Sequence, residues 1–218
     1  KRVVGSPMEG RGVVENAETM EVYQAIVWTC GDQGRITNGE LCFSGGKISL
    51  VRNGVATNIA GLLSHMPHIT PGLIDAHSHS AILGAVNEST LPSTAMVRIG
   101  DVVNSETRNI GDQLAGGLTV ANLLHGSANP IGGQNQIIKL RDGASPEGLK
   151  FEDAPQGIKF ALGENVKQSN WGEKFTTRFP QTRMGVPTFY RNRFTAAEQY
   201  LQAWSNFKEN GGIPPRRD

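Results

Sequence analysis

Short hydrophobic runs separated by turn residues occupy the chain between residues 24 and 58. The runs are rich in β-branched and aromatic residues and cover residues 25–30, 34–37, 39–43 and 47–51. The dipeptides Asn38-Gly39, Gly45-Gly46 and Asn53-Gly54 stand between or after them, and such residues tolerate the positive φ that tight hairpin turns require. The pattern predicts small antiparallel strands.

The hydrophobic pattern changes after Pro67 and Pro71, where strands begin to alternate with longer helical stretches. An apolar strand is predicted at residues 73–77. The mostly apolar run at 116–124 is entered through glycines, which is typical of a parallel strand covered on both faces. A third strand is predicted at 157–162. The change of period predicts two domains, one over residues 1–70 and one over 71–218.

The clearest helical pattern extends from about residue 187 to 208 and ends at Asn210-Gly211-Gly212. Its apolar positions recur at steps of three and four, which predicts a stripe packed in the core: Tyr190, Phe194, Ala197, Leu201, Trp204 and Phe207. A weaker stripe predicts a helix between residues 93 and 115: Met96, Ile99, Val103, Ile110 and Leu114. Gly100 and Gly111 weaken it, since glycine costs a helix interior about 1 kcal/mol relative to alanine.

The net charge and the composition limit which classes of binding partner the chain is expected to have. Lys+Arg total 21 and Asp+Glu 20, which leaves a net charge of +1 in 218 residues. No global field therefore recruits nucleic acid or an anionic membrane, and a small-molecule partner fits better. No apolar run approaches the ~20 residues of a membrane-spanning helix, so the chain is expected to be soluble, with cytoplasm and export both open. Cys30 and Cys42 could pair in an oxidising compartment or remain buried thiols.

The segment Pro71-Gly-Leu-Ile-Asp-Ala-His-Ser-His-Ser80 carries the most specific chemistry. Successive side chains of an extended chain point to opposite faces, so Asp75, His77 and His79 share one face. Two neutral imidazoles there can converge on zinc, nickel or iron, and Asp75 could orient one of them through its second nitrogen. The alternative is a chance pair of histidines on a solvated strand face.

Further polar residues follow the predicted strands. His125 comes directly after the second strand and opens a loop over residues 125–134, where it could bind substrate, polarise a carbonyl or serve a structural role. Arg183 lies near the start of the long helix and could hold an anionic group of a substrate or remain solvated. His65 and His68 are predicted to pack structurally between the domains.

The His77 segment resembles the first barrel strand of the amidohydrolase superfamily, in which both histidines bind the catalytic metal. The early strands, the Gly-rich loop and Gly163-Glu164-Asn165 are similar to imidazolonepropionase-like members. The resemblance implies an α/β fold with a partial (β/α)8 TIM-type barrel preceded by a small β-sandwich. It also implies a divalent metal, zinc being favoured, and activated water that attacks the carbonyl or imine carbon of an amide or cyclic amide.

The sequence leaves the identity of the third metal ligand open. Glu164 is preferred, because its carboxylate follows the third predicted strand and could bind or bridge metal. Lys159 competes with it, because some amidohydrolases use a carbamylated lysine as a bridging ligand and Ile-Lys-Phe resembles the strand that carries it. The two positions have opposite parity, so without a bulge only one faces inward. Either residue could instead be an ordinary surface charge.

The chain departs from the superfamily pattern in its length. A complete (β/α)8 barrel takes about 250 residues, more than the 218 of the whole chain. The superfamily also draws two further histidines and an aspartate from later strands, and no histidine follows His125. We therefore expect an N-terminal fragment of a hydrolase, inactive without a missing C-terminal barrel segment or second chain. Self-association into a homo-oligomer is a further expected way of covering the incomplete barrel. A non-catalytic binding or assembly module is the alternative.

Overall fold

A computed structural model describes residues 19–54, 66–172 and 177–217. These residues fall into two compact units. Residues 19–54, 66–74 and 111–120 belong to the first unit, and residues 75–110, 121–172 and 177–217 to the second. The secondary structure is mixed α/β, as the sequence predicts.

A four-stranded sheet forms the first unit. Its strands are β1 (Thr19–Trp28), β2 (Arg35–Ser44), β3 (Lys47–Asn53) and β4 (His68–Ile69), in the order β3-β2-β1-β4. The first three strands pair antiparallel, whereas β4 runs parallel to β1. Ala25, Val27 and Ile36 are buried against Val51 and Ile69. Residues 19–54 and 66–69 form this one sheet, and the second layer of the predicted β-sandwich is not found among them.

Glycines in this sheet serve two different purposes. Gly45 and Gly46 adopt φ of 57° and 73° between β2 and β3, which confirms the predicted tight turn. Asn38-Gly39, also predicted as a turn, instead lies inside β2. A Cβ on Gly39 would lie 2.5 Å from Val27 Cγ2, so glycine is required there for close strand approach. Cys30 and Cys42 carry free thiols.

Two of the predicted strands pair in a second sheet. Strand β5 (Leu73–Ser78) lies beside β6 (Leu118–Leu123), and a later strand, Gln136–Lys139, completes the order. Backbone hydrogen bonds join Leu73 N to Gly117 O at 2.9 Å and Leu124 N to Ser78 O at 3.0 Å, so β5 and β6 run parallel. This confirms the strands predicted at 73–77 and 116–124.

A two-stranded antiparallel sheet contains the third predicted strand. Strand β7 (Ile131–Gln134) precedes β8, the strand Gln136–Lys139, and pairs with β9 (Ile158–Phe160). The third predicted strand is therefore observed over residues 158–160, and the loop at residues 125–134 itself supplies its neighbouring strand. A Cβ on Gly132 would lie 3.3 Å from Lys159 Cγ, so glycine admits this close pairing. No sheet of the described residues closes into a barrel.

The helices follow the sequence prediction unevenly. They are α1 (Arg108–Ala115), α2 (Pro146–Leu149) and α3 (Gly185–Asn210), with short 3-10 turns at Ile99–Val102 and Gln168–Asn170. The single helix predicted over residues 93–115 is wrong, since only the 3-10 turn at Ile99–Val102 and α1 at Arg108–Ala115 are helical, and Met96 is 67% exposed. None of the helices in the described ranges is long and apolar enough to cross a bilayer.

Helix α3 confirms the predicted long helix but not the predicted burial of its stripe. Val186 and Phe189 are buried, and the single hydroxyl proton of Tyr190 is shared between Pro130 O, 2.5 Å from Oη, and Ala161 O, 2.8 Å from it. Farther along, Phe194 and Leu201 are 57% and 69% exposed. Core packing therefore holds for the first turns only.

Candidate metal centre

The imidazoles of His77 and His79 meet on one side of the chain, as strand alternation predicts. Their Nε2 atoms lie 3.2 Å apart, and the rings meet edge to face with centroids 4.9 Å apart. His77 is near the end of β5 and His79 directly follows it. Both rings are exposed, so the nitrogens are accessible to an ion from solution.

Neighbouring backbone groups fix the orientation of this pair. His79 Nδ1 lies 2.8 Å from Leu124 O, and a carbonyl only accepts, so Nδ1 carries the proton and the Nε2 lone pair stays available. Asp75 acts differently from the sequence expectation. Its Oδ1 accepts from the His77 backbone N–H at 3.0 Å, so the carboxylate holds the strand rather than an imidazole nitrogen.

Lys159 completes the cluster. It lies in β9, 82 residues beyond His77, and its Nζ is 3.2 Å from His77 Nε2. Glu164 lines the same cavity of about 190 Å³ as Lys159, but its carboxylate is 2.5 Å from Lys167 Nζ. Since β9 ends at Phe160, strand alternation does not extend to Glu164. The structure therefore brings Lys159 to the imidazoles and pairs Glu164 with a lysine.

The local electrostatics favour neutral nitrogens. Partial burial lowers the pKa of His77, positive Lys159 and His79 lower it further, and Asp75 opposes the shift. Burial likewise lowers the pKa of Lys159. Zinc–nitrogen bonds of about 2.0–2.1 Å at a tetrahedral angle place two ligand nitrogens about 3.3 Å apart. The observed imidazole separation of 3.2 Å therefore fits a shared divalent cation.

The donor set is small. In residues 19–54, 66–172 and 177–217, no three His, Cys, Asp or Glu side chains are grouped so as to hold a metal ion. Two imidazoles and the amine of Lys159 are thus the nitrogen donors that the described chain places together.

Asparagine side chains position the strands that carry this cluster, which the sequence did not predict. Asn122 Nδ2, on β6, donates to Ala76 O of β5 at 3.2 Å. Asn135 Nδ2 donates to Asn122 Oδ1 at 2.8 Å, and Asn135 Oδ1 accepts from Gly157 N at 2.5 Å. The segment that enters β9 is thereby tied to the strand that carries His77. Such pairs are set by three-dimensional packing and leave no motif in the sequence.

His125 is 3% exposed, and among the residues that the structure describes its Nε2 has no hydrogen-bond partner. Gly133, with φ of 150°, makes room for the ring, because a Cβ there would lie 2.5 Å from Nε2. Burial lowers the pKa of His125 and outweighs the opposing effect of the carbonyls of Val97, Gln134 and Val86. A substrate role for His125 stays a prediction. The structure shows that its ring is buried against Gly133, and the lowered pKa favours the neutral form of the imidazole.

Acidification is expected to destabilise the protein through His125. Its pKa in the folded chain is below the unfolded value of about 6.5, so the unfolded state takes up the proton first. The free energy of unfolding should fall as the pH drops below about 6.5, with His77 contributing in the same direction. Urea titrations from pH 7.5 to 5 measure this, and His125→Gln should flatten the curve. An unchanged slope in that variant would contradict the assignment.

Arg178 is a second residue that sequence reasoning missed. Its Nη1 lies 2.5 Å from Ser89 O, 3.1 Å from Leu91 O and 2.6 Å from Asn129 Oδ1, and its Nη2 lies 2.7 Å from Ala128 O. Asn129 Nδ2 in turn donates to Thr94 Oγ1 at 2.8 Å. This network fixes the loop between His125 and β7. The residues of this network lie far apart in the sequence and have no regular spacing from which the network could be predicted.

The remaining predicted residues lie elsewhere. Arg183 is exposed and donates to Leu162 O at 3.0 Å beside an apolar groove between β9 and α3, and its anion-binding role stays a prediction. His65 lies outside the described residues. In the first unit, His68 is exposed and its Nδ1 accepts from Trp28 Nε1 at 3.1 Å, with the two rings stacked; packing of His68 between the domains stays a prediction.

Known proteins resemble the chain over different lengths. No protein-family model matches it. The curated protein "Amidohydrolase tasK" of Hapsidospora irregularis is 29% identical over a region covering 66% of this chain and 16% of that protein. The crystal structure of an amidohydrolase from Thermotoga maritima MSB8 matches with a TM-score of 0.70 and 29% identity over 91% of this chain and 52% of that one. The chain is therefore similar in sequence and in fold to proteins named as amidohydrolases, and it spans only part of the length of both.

Proposed function

We propose that the chain serves a metal-dependent hydrolase in which His77, His79 and Lys159 hold a divalent cation, preferentially zinc. The reaction is attack of water on the carbonyl carbon of an amide or cyclic amide, with cleavage of the C–N bond. The observation that carries the proposal is the 3.2 Å separation of the two Nε2 atoms, with Lys159 Nζ 3.2 Å from one of them. The similarity to two amidohydrolases supports the hydrolase assignment.

The residues of the chain have separable roles in this proposal. His77 and His79 direct their Nε2 atoms to a common point, and Leu124 O holds the tautomer of His79 that leaves Nε2 unprotonated. Asp75 holds the backbone of His77 in place. When bound, the cation supplies Lewis acidity, which polarises a carbonyl oxygen and acidifies water.

Lys159 is proposed as the third ligand in preference to Glu164. Addition of carbon dioxide to its neutral amine, with loss of one proton, converts Nζ into a carbamate with two oxygens, as the superfamily resemblance implies. Its position next to His77 Nε2 supports this choice. Glu164 shares the cavity wall and is engaged by Lys167, which makes it the alternative ligand.

Removing Lys159 is expected to weaken zinc binding. Lys159→Ala should lose about tenfold or more in zinc affinity, because even partners that only orient a ligand contribute 10–100-fold. Competitive titration against a chromogenic chelator measures the affinity. Glu164→Gln is the matched control on the same cavity and should bind zinc like the unchanged chain. If Lys159→Ala kept its zinc affinity and Glu164→Gln lost it, the third ligand would be Glu164 and not Lys159.

A partial (β/α)8 barrel with a β-sandwich is the architecture we propose for the fold. The parallel pair β5–β6 and the similarity to the Thermotoga maritima structure support it. This chain spans 16% and 52% of the lengths of the two relatives. We propose that catalysis also requires further polypeptide of the kind those relatives contain, in the same chain, a second chain or a second copy. A non-catalytic binding module is the alternative, and it predicts a chain that retains no metal.

A further inference from the structure

An apolar groove of about 560 Å³ lies between β9 and the N-terminal half of α3 in the second unit. The residues of α3 that line it recur at steps of three and four, so they form one face of the helix. Six apolar side chains line the groove: Phe160, Leu162, Val186, Pro187, Tyr190 and Phe194. The volume is typical of small-molecule sites, which occupy about 300–1,000 Å³.

Aromatic rings give the apolar wall of the groove a defined shape. The rings of Phe160 and Phe194 are stacked, with centroids 6.2 Å apart, and the centroid of the Tyr190 ring lies 5.9 Å from that of Phe160. Pro130 O and Ala161 O engage the Tyr190 hydroxyl, so its ring and not its hydroxyl is left to face the groove. These contacts order the wall before a ligand arrives, which reduces the entropic cost of binding.

The wall leaves apolar surface open to water. Leu162 is 63% exposed, and Phe160 and Phe194 are exposed as well. Removal of such surface from water favours an apolar body in the groove. Apolar surface alone does not identify the occupant, so the charge around the groove decides its chemistry.

Two arginines supply that charge. Arg183 and Arg191 are exposed and line the groove, and no acidic residue lines it. Arg183 is held in place by its hydrogen bond to Leu162 O at 3.0 Å. Among the residues that the structure describes, neither arginine forms an ion pair with a carboxylate. The carboxylate closest in sequence to Leu162 is that of Glu164, which is 2.5 Å from Lys167 Nζ. The groove is therefore apolar along its wall and positive at its two arginines.

The groove is separate from the candidate metal centre. Lys159 Nζ lies 3.2 Å from His77 Nε2, whereas the next residue of β9, Phe160, stacks on Phe194 of α3. Adjacent side chains of a strand point to opposite faces. The groove therefore lies on the face of β9 away from the imidazoles, and a ligand bound there is not the substrate of the proposed hydrolysis.

We propose that this groove is a second binding site, which takes an apolar carboxylate. The acyl chain or aryl group of the ligand packs against Phe160, Tyr190 and Phe194, and its carboxylate meets Arg183 and Arg191. The planar fork of guanidinium donors matches the two oxygens of a carboxylate. Binding at this site requires neither a metal nor the proposed hydrolase function.

Calorimetric titration of the full chain with octanoate, octanol and octylammonium at neutral pH tests the inference. The three probes share one apolar chain and differ in charge. Octanoate should bind about fivefold or more tightly than octanol, because each exposed ion pair adds a modest free energy, and octylammonium should bind more weakly than octanol. Added sodium chloride should weaken the binding of octanoate but not that of octanol. Equal affinities for the three probes, or no binding of octanoate, would overturn the proposal.

A charge variant locates the carboxylate. Arg183→Gln/Arg191→Gln should reduce octanoate affinity to that of octanol and leave octanol binding unchanged, and both side chains are exposed, so the fold should tolerate the change. Arg193→Gln is the matched control on α3, because the Arg193 guanidinium lies 5.3 Å from the centroid of the Phe189 ring and does not line the groove. A preference for octanoate that persists in the double variant would contradict the assignment.

An apolar variant separates a small ligand from a protein partner. Phe194→Ser should weaken octanoate and octanol alike, whereas Leu201→Ser, at an exposed position farther along α3, should weaken neither. Light scattering of the same variants reports self-association. A chain that dimerises and becomes monomeric in Phe194→Ser, with octanoate and octanol binding equally, would identify the groove as an interface between copies and overturn the ligand assignment.

Discussion

Replacing both His77 and His79 by alanine is expected to abolish stoichiometric zinc binding. Their Nε2 atoms lie 3.2 Å apart and form the core of the donor set. Loss of both should reduce zinc affinity more than about 100-fold, since changes in residues that merely orient a ligand already cost 10–100-fold. Metal analysis by mass spectrometry after dialysis against zinc measures the effect.

The folded state should tolerate this change, because both imidazoles are exposed. Circular dichroism and urea unfolding should therefore be close to those of the unchanged chain. His68→Ala is the matched control, since His68 contacts Trp28 and is not part of the cluster. Retention of one zinc per chain by the double variant would remove the basis of the proposed function.

Replacing Arg178 by alanine is expected to give the largest loss of stability among single polar substitutions considered. The change removes donors from Ser89 O, Leu91 O, Ala128 O and Asn129 Oδ1. Ser89 and Leu91 are exposed, so water can replace the donor there, whereas Ala128 and Asn129 are buried. An unsatisfied buried partner costs about 1–3 kcal/mol, so the free energy of unfolding should fall by about 3 kcal/mol. Urea titration at neutral pH measures it.

The matched control is Arg98→Ala. Arg98 forms an ion pair with Asp101 in which both side chains are more than half exposed. Exposed pairs contribute about 0–1 kcal/mol, so this variant should unfold like the unchanged chain. Arg178→Lys keeps the positive charge but loses the planar set of guanidinium donors. Its free energy of unfolding should therefore lie between those of Arg178→Ala and Arg98→Ala. Equal stability of Arg178→Ala and Arg98→Ala would show that the network does not support the loop.

The convergence of His77 and His79 was predictable because one local rule determines it. Alternation along β5 requires His77 and His79 to share a face, and the glycine-rich entrance and apolar run likewise identified β6. The turn at Gly45-Gly46 follows from equally local chemistry, because positive φ suits glycine. Features that depend on a few adjacent residues are the ones that sequence reasoning recovered.

Features that depend on distant partners were less accessible. The choice between Lys159 and Glu164 stayed open, because the contact with His77 spans 82 residues and β9 is only three residues long. Asn38-Gly39 resembled a turn, but its glycine admits Val27 from the neighbouring strand.

Helix α3 gives a further example. Its period predicted the helix, but periodicity alone does not specify what covers each face, and Phe194 and Leu201 are exposed. Arg178 and Asn122 belong to networks assembled only after folding. Neither residue stands in a recognisable motif.

X-ray absorption at the zinc edge of the loaded chain tests the central claim most directly. The account predicts two imidazoles and further nitrogen or oxygen ligands at about 2.0–2.1 Å, with the imidazole scattering lost in the His77→Ala/His79→Ala variant. A sulfur shell near 2.3 Å would instead indicate binding by thiolates such as Cys30 or Cys42. That result, or a shell without imidazole, would contradict the assignment of His77 and His79 as metal ligands.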